Sequence, residues 1–205
     1  MTKPEKLNLS SVGTDRDEYA ALVRDAARGD RRATEQLLVR AQEVAFRFSL
    51  LVCGHAEDAE EVMQDALLKT YRHVSGIKKP EAFRTWLYQT VRNACLMKRR
   101  RRVGEPRQLL SLDHGLIGDG GAVRPIDVKD EGRQPDQRLI DAWVGTRLRA
   151  ALAALPPAYR VVVVLREIER LSTREVADIV GISEANVKAR LHRARMMLRK
   201  QLEDL

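Results

Sequence analysis

The stretch that most constrains this chain of 205 residues runs from Leu171 to Leu198, LSTREVADIVGISEANVKARLHRARMML. Ser172 and Glu175 have the spacing of a capping box, in which each side chain satisfies a free backbone amide at a helix start. Gly181 can adopt the positive φ with which helices often end, and Ser183 is a favourable N-cap residue. The spacing therefore predicts two short helices joined by a tight glycine turn.

The second of these helices is strongly basic on its free face. Val187, Leu191 and Ala194 fall on one side at helical spacing, so the cations lie outside. This arrangement is typical of a helix-turn-helix, whose second helix lies in the DNA major groove and reads base edges with its first residues. The predicted DNA contacts are Ser183, Glu184, Ala185, Lys188, Arg190 and Arg193. The simpler alternative is a helical hairpin with a solvated charged face.

Composition favours an anionic partner. The net charge is +8 with a sequence pI near 9.8, which places nucleic acid ahead of a membrane surface. No apolar run approaches the roughly 20 residues of a membrane span, and the first residues lack the apolar core of a signal peptide. We therefore expect a cytoplasmic protein without a membrane span, and neither a cofactor nor a metal.

The two cysteines lie inside apolar helical patterns. Cys53 and Cys95 are the only cysteines of the chain, and we expect both to be buried and reduced. A metal-binding pair of Cys53 and His55 is the weaker alternative, because nothing nearby completes a site.

A change of pattern divides the chain into two helical modules. Residues 1–16 are polar and aperiodic and predict a mobile tail. Residues 17–102 and 136–205 carry apolar side chains at helical spacing, whereas residues 103–135 are rich in glycine, proline and acids and too long for an internal loop. The predicted fold is all-α, with two small helical domains joined by a flexible linker and a helix-turn-helix in the second. Val161–Val164 have strand propensity, but their helical context favours a helix.

Two helices of the first module carry more than core residues. The third predicted helix begins with acids such as Asp58 and Glu61 and is expected to turn Tyr71 inward. These acids suit the positive end of the helix dipole, or they form a docking surface for a positively charged partner. The fourth helix places aromatic side chains beside cations and ends in the run Lys98–Arg102, which favours binding of single-stranded nucleic acid. Plain core packing is the alternative for its aromatic residues.

Three stretches resemble the extracytoplasmic-function (ECF) group of bacterial sigma factors in the sigma-70 family. DAEEVMQDALLKTYRHV, from Asp58 to Val74, looks like the helix that docks on the clamp helices of RNA polymerase. FRTWLYQTVRNACLMKRRRR, from Phe83 to Arg102, looks like the helix that recognises and opens the minus-ten promoter element. Leu155 to Leu202 is similar to the domain that binds the minus-thirty-five element. The resemblance also implies that the valine run is helical.

This resemblance implies a promoter-specificity subunit of RNA polymerase that has no catalytic activity of its own. Its implied partners are core RNA polymerase, promoter DNA as duplex and as non-template single strand, and an anti-sigma protein. It places polymerase docking on an exposed surface formed by Asp58, Glu61, Gln64 and Asp65. It places contacts with the opened promoter on Lys78, Arg84, Arg92, Asn93, Lys98, Arg99 and Arg100.

Two other classes of function compete with this interpretation. A free-standing transcriptional regulator uses the same recognition helix on operator DNA without polymerase. It requires a dimer with symmetric half-sites and leaves the acidic and aromatic helices of the first module unexplained. An enzyme is the third class, but Asp58, Glu60 and Glu61 crowd one helical turn, without a histidine or a phosphate-binding loop.

Overall fold

The computed structural model describes residues 11–103 and 147–203. Every regular element in these two ranges is helical, which confirms the predicted all-α class. The predictions for residues 1–10, for the linker from residue 104 onward, and for the helix starting at residue 136, as far as residue 146, lie outside the described residues. Among the described helices, none combines the length and the apolar character needed to cross a membrane.

The first module consists of four helices. These are α1 (Ser11–Ala27), α2 (Arg31–Cys53), α3 (Ala56–His73) and α4 (Phe83–Val103), with short 3-10 turns at Val74–Gly76 and Pro80–Ala82 between the last two. The Asp30 carboxylate caps α2 by accepting hydrogen bonds from the backbone amides of Arg32 at 2.8 Å and Ala33 at 3.1 Å. Helix α1 begins at Ser11, six residues before the helix predicted from Asp17.

The aromatic side chains in the core of the first module come largely from α2 and α4. Phe48 is fully buried and meets the Tyr88 ring edge-on, with 5.1 Å between ring centroids. Phe83 and Leu87 are also buried, and Trp86 packs against Phe83 with 5.7 Å between centroids. Plain core packing is therefore the correct interpretation for Phe83 and Leu87, which leaves base stacking to other groups.

The described part of the second module contains four helices. These are α5 (147–154), α6 (Pro157–Val163), α7 (Thr173–Val180) and α8 (Glu184–Glu203), and α6 continues into a π-helical turn at Val164–Ile168. The valine run is helical and buried, so tertiary context overrides its strand propensity. Both bonds of the predicted capping box are present, and Gly181 ends α7 with a φ of 75°. The helix-turn-helix is confirmed.

A disulfide joins the two cysteines, Cys53 at the end of α2 and Cys95 in α4. The expectation of two reduced thiols is therefore wrong for this structure. The two residues are 42 positions apart in sequence, and their Cα atoms come within 5.0 Å because α2 packs on α4. A sequence spacing of that length carries no information on pairing. The bond also removes Cys53 as a candidate metal ligand.

Candidate nucleic-acid and polymerase interfaces

The N-terminal turn of α8 presents its polar side chains to solvent. Val187, Leu191 and Ala194 are buried and fix the helix on the module. The Ser183 hydroxyl caps the helix by accepting a hydrogen bond from the amide of Asn186 at 3.3 Å. Of the predicted contact residues, five are exposed, namely Ser183, Glu184, Ala185, Lys188 and Arg193, and Arg190 is half-buried. This exposure is the geometry that a groove-reading helix requires.

The predicted single-strand face of α4 is only partly accessible. Asn93 is exposed, and so is Lys78 in the connection from α3 to α4. The other predicted contact residues are half-buried, namely Arg84, Arg92, Lys98, Arg99 and Arg100. The Arg84 guanidinium lies 5.9 Å from the centroid of the Tyr88 ring. Arg92 donates through Nη1 to the carbonyl oxygen of Ile179 at 2.9 Å, so the second module occupies part of this face.

Positive charge is concentrated where α4 meets the second module. Burial lowers the pKa of Arg92, and the charge of Arg190 lowers that pKa further. Burial also lowers the pKa of Arg99. Both directions show that burial disfavours the charged form of these arginines, and binding of a phosphate group favours that charged form. The structure thus brings together Arg92 and Arg190, which belong to two separately predicted DNA sites.

The outer face of α3 carries most of the predicted polymerase-docking surface. Glu61, Gln64 and Asp65 are exposed there, and the Glu61 carboxylate pairs with the ammonium group of Lys98. Asp58 is only 7% exposed, so its predicted place on this surface is wrong. The physical reason is its position one helical turn before the buried Val62, which puts both side chains on the inward face.

Two exposed apolar residues extend the same face, although they were not assigned to it from the sequence. Leu68 is 51% exposed and Tyr71 is 63% exposed. They follow Gln64 by four and seven residues, which is one and two helical turns, so all three share one side of α3. The expectation that Tyr71 turns inward is therefore wrong, and the spacing from Gln64 was the available signal. We call Glu61, Gln64, Asp65, Leu68 and Tyr71 the docking face, because mixed polar and apolar exposure is typical of interfaces.

A basic helical module with an exposed docking face, followed by a helix-turn-helix, defines a two-module DNA-binding protein with a protein partner. Comparison with known proteins gives the family. The model of sigma-70 region 2 matches residues 35–104, and the model of sigma-70 region 4 matches residues 146–198. This chain therefore belongs to the ECF family of RNA polymerase sigma factors. The predicted resemblance is confirmed, and the free-standing regulator is not supported.

Individual relatives agree with this assignment. The ECF sigma factor SigM of Mycobacterium tuberculosis is 30% identical over 85% of this chain and 79% of its own length. SigW of Bacillus subtilis is 26% identical over 89% of this chain and 96% of its own length. A solved structure of the sigma factor RpoE with the anti-sigma factor NepR from Bartonella quintana has the same fold, with a TM-score of 0.59. It is 23% identical and covers 82% of this chain and 96% of that chain.

Proposed function

We propose that this chain directs core RNA polymerase to specific promoters, reading duplex DNA with α8 and the opened strand with α4. The observation that carries this proposal is the exposure of two separate sets of polar side chains in one chain. Ser183 to Lys188 lie at the start of a helix-turn-helix recognition helix, and Asn93 lies on a basic helix of the other module. One set fits a duplex groove, and the other fits a single strand.

The upstream element is read by the first turns of α8. Residues at the start of a recognition helix reach base edges, and residues on its later flank reach phosphates. We assign base contacts to Ser183, Glu184, Ala185 and Lys188, and phosphate contacts to Arg190 and Arg193. Sequence preference is then set mainly by Lys188, because its ammonium group donates to acceptors on base edges.

The minus-ten element is captured as a single strand. Extruding a base costs a few kcal/mol in lost pairing and stacking, and the protein has to recover that free energy through contacts with the strand. Asn93 offers both a donor and an acceptor at an exposed position on α4, and Lys78 stands exposed in the preceding connection. The half-buried cations of α4, namely Arg84, Arg92, Lys98, Arg99 and Arg100, supply phosphate contacts once they are accessible.

The docking face holds the chain on core polymerase. Its exposed acids steer association with a positively charged surface, and Leu68 and Tyr71 add apolar area to the contact. We infer that the buried Asp58 supports α3 from inside instead of touching polymerase. Polymerase then supplies the chemistry of RNA synthesis, and this chain contributes recognition without catalysis.

An anti-sigma protein is a further inferred partner, and the cytoplasm is the inferred location. The similar RpoE structure has an anti-sigma factor bound, and this chain has the same fold. Promoter DNA and core polymerase are both met in the bacterial cytoplasm, so the proposed activity requires the chain to act there.

Run-off transcription tests the proposed function. Purified chain and core polymerase are incubated with a genomic promoter library, and the transcripts are sequenced. We expect a defined set of promoters that core enzyme alone does not use, and we expect Lys188→Ala to change that set. Arg24→Ala, at an exposed cation of α1 outside both sites, is the matched control and leaves the set unchanged. Duplex binding that is equally tight without polymerase, together with no transcripts, contradicts the proposal.

A further inference from the structure

A buried carboxylate from the second module closes a polar contact with the first. The Glu169 side chain is 1% exposed. It accepts hydrogen bonds from Arg47 Nε at 2.9 Å, from Arg47 Nη2 at 2.7 Å and from the Tyr88 hydroxyl at 2.7 Å. Arg47 belongs to α2 and Tyr88 to α4, so one acid holds two helices of the other module. Burying a carboxylate is costly unless all its partners are present, which makes this contact sensitive to the loss of any one of them.

The partners of Glu169 remain in the forms that donate hydrogen bonds. The hydrogen bond to Glu169 is the largest cause that raises the pKa of Arg47. Burial raises the pKa of Tyr88, and the charge of Glu169 raises it further. Arg47 therefore stays charged and Tyr88 stays protonated at neutral pH, so the three bonds to the carboxylate persist there.

Each module also caps helix ends of the other. The last carbonyl groups of a helix have no partner inside it, and positive charge is favourable there. Gln89 Nε2 donates to the carbonyl of Asp178 at 2.8 Å, next to the Arg92 bond, and both acceptors lie at the end of α7. In return, Arg160 Nη1 donates to the carbonyl of Val52 at 3.2 Å, at the end of α2.

The backbone around Glu169 departs from regular α-helical geometry. Its amide donates to the carbonyl of Val164, five residues earlier, at 2.9 Å, which closes the π-helical turn. Arg170 follows with a φ of 54°, in the left-handed region that residues with a Cβ atom rarely adopt. Such costly conformations persist only where the surrounding contacts enforce them, and they cluster at switches and other functional sites.

This contact conflicts with the simultaneous reading of two promoter elements. On the proposed function, the two modules bind elements about 25 base pairs apart, which is roughly 85 Å at about 3.4 Å per pair. Here the modules are within hydrogen-bonding distance, and Arg92 is engaged with Ile179 instead of a phosphate. The nearby Arg190 adds like-charge repulsion to the closed arrangement, which favours release when a polyanion competes for both arginines.

We propose that Glu169 latches a closed form of this chain, in which the helix-turn-helix module covers Gln89 and Arg92 of α4. The latch opens before both promoter elements can be bound. The 43 residues from 104 to 146 reach at most roughly 155 Å when fully extended, which is enough for this separation. The reason for opening rests on the proposed function. The closed contact does not, because it can be measured without polymerase.

Glu169→Gln in the full chain tests the latch, because it removes the charge and replaces one acceptor oxygen with a donor. Tyr88→Phe is the second variant, since it deletes one hydroxyl and keeps the ring against Phe48. Glu167→Gln is the matched control, because the Glu167 carboxylate pairs with Arg195 inside the same module at 2.6 Å. Small-angle scattering gives the radius of gyration, and fluorescence anisotropy gives the affinity for a labelled single-stranded DNA of mixed sequence.

We expect the wild-type chain and Glu167→Gln to have the same radius of gyration, and Glu169→Gln and Tyr88→Phe to have larger ones. The two latch variants should bind the single strand up to roughly tenfold tighter, because a larger fraction of molecules is open. If Glu169→Gln loses its helical circular dichroism, Tyr88→Phe decides the outcome. Equal radii for all four proteins, or equal expansion of the control, overturns the latch. A chain that expands as expected but fails in run-off transcription overturns the proposed function alone.

Discussion

At the scale of single residues, the arginines divide between structure and recognition. Arg160 is 2% exposed, and its guanidinium donates to the carbonyl of Leu155 at 3.1 Å as well as to that of Val52. Burial lowers the pKa of Arg160 to about 10, with a further contribution from the charge of Arg99. The side chain stays positive at neutral pH but is buried against backbone carbonyl groups. The net charge of +8 therefore overstates the charge that can meet phosphates.

The first prediction concerns the cap of α7. The Ser172 hydroxyl accepts from the Glu175 amide at 3.2 Å, and the Glu175 carboxylate accepts from the Ser172 amide at 2.8 Å. Ser172→Ala removes one half of this pair, and we expect the free energy of unfolding to fall by about 1 kcal/mol. Urea denaturation followed by circular dichroism measures the change.

Ser172→Thr is the control for this cap, because a threonine hydroxyl still accepts from the Glu175 amide and still donates to the Glu175 carboxylate, as the Ser172 hydroxyl does at 2.7 Å. We expect it to retain stability within a few tenths of a kcal/mol. A loss as large as that of the alanine variant contradicts the capping explanation and points to an effect of the substitution on the surrounding surface.

At the scale of helices, the sequence predicted where helices end but did not predict correctly which side chains of α3 are exposed. Capping residues and apolar spacing located the ends of α2 and α7, because those signals act within a few residues. The inward position of Asp58 and the outward position of Tyr71 depend on which side of α3 the rest of the module covers. Helix α3 has acids at its start and apolar residues along its whole length, so its sequence pattern is compatible with more than one buried face.

The valine run shows the same division between local and tertiary information. Val161–Val164 favour a strand by propensity, and the resemblance to a known family decided for a helix. The π-helical turn that follows was not predictable, because it depends on the contact that Glu169 makes outside its own helix. Local propensity alone therefore gives the wrong element here, the helical context and the family resemblance give the right one, and packing determines its irregularity.

The second prediction separates base reading from phosphate contact on α8. Lys188→Ala should change which upstream sequences are bound, and Arg193→Ala should weaken binding to all sequences alike. The Arg193 variant should also lose about one phosphate contact. The slope of log affinity against log salt concentration should therefore become shallower by roughly 0.9. Binding of holoenzyme to a library of upstream sequences at several salt concentrations measures both effects. The assignment of Lys188 fails if its loss weakens every sequence equally.

The third prediction concerns the docking face of α3. Asp65 is exposed there, and Asp65→Lys places a cation opposite a positively charged partner, so we expect at least about tenfold weaker binding to core polymerase. Surface plasmon resonance with immobilised core enzyme measures the change. Glu35→Lys, at an exposed acid of α2, is the matched control and should bind like the unchanged chain. Equal losses for both variants indicate that net charge, not the docking face, governs association.

At the scale of the whole molecule, the contact between modules lay beyond the reach of the sequence. Glu169 and Arg47 are 122 positions apart, and no spacing in the sequence links them. An acidic residue near the end of a helix is common and gives no sequence signal of burial. Only the packed structure reveals that Glu169 is buried against two helices of the other module. The disulfide between Cys53 and Cys95 was missed for the same reason. The two modules and the helix-turn-helix were predictable because each depends on local periodicity and capping.

The fourth prediction concerns promoter opening, which requires polymerase and both modules together. Asn93→Ala removes a donor and an acceptor from the exposed side of α4, so capture of an extruded base should weaken while docking stays intact. We expect normal core binding and closed-complex formation, with permanganate-reactive open complex reduced about tenfold if one good base contact is lost. Lys78→Ala should show a milder defect, and Gln42→Ala, at an exposed amide of α2, should show none.

A template with a pre-opened bubble distinguishes strand capture from other causes of the Asn93 defect. Because the bubble removes the cost of unpairing, much of the lost open complex should return on that template. A defect that persists on the bubble places Asn93 in a later step. Loss of the closed complex in the Asn93 variant, or no opening defect at all, makes this part of α4 structural and places strand capture on other residues of the chain.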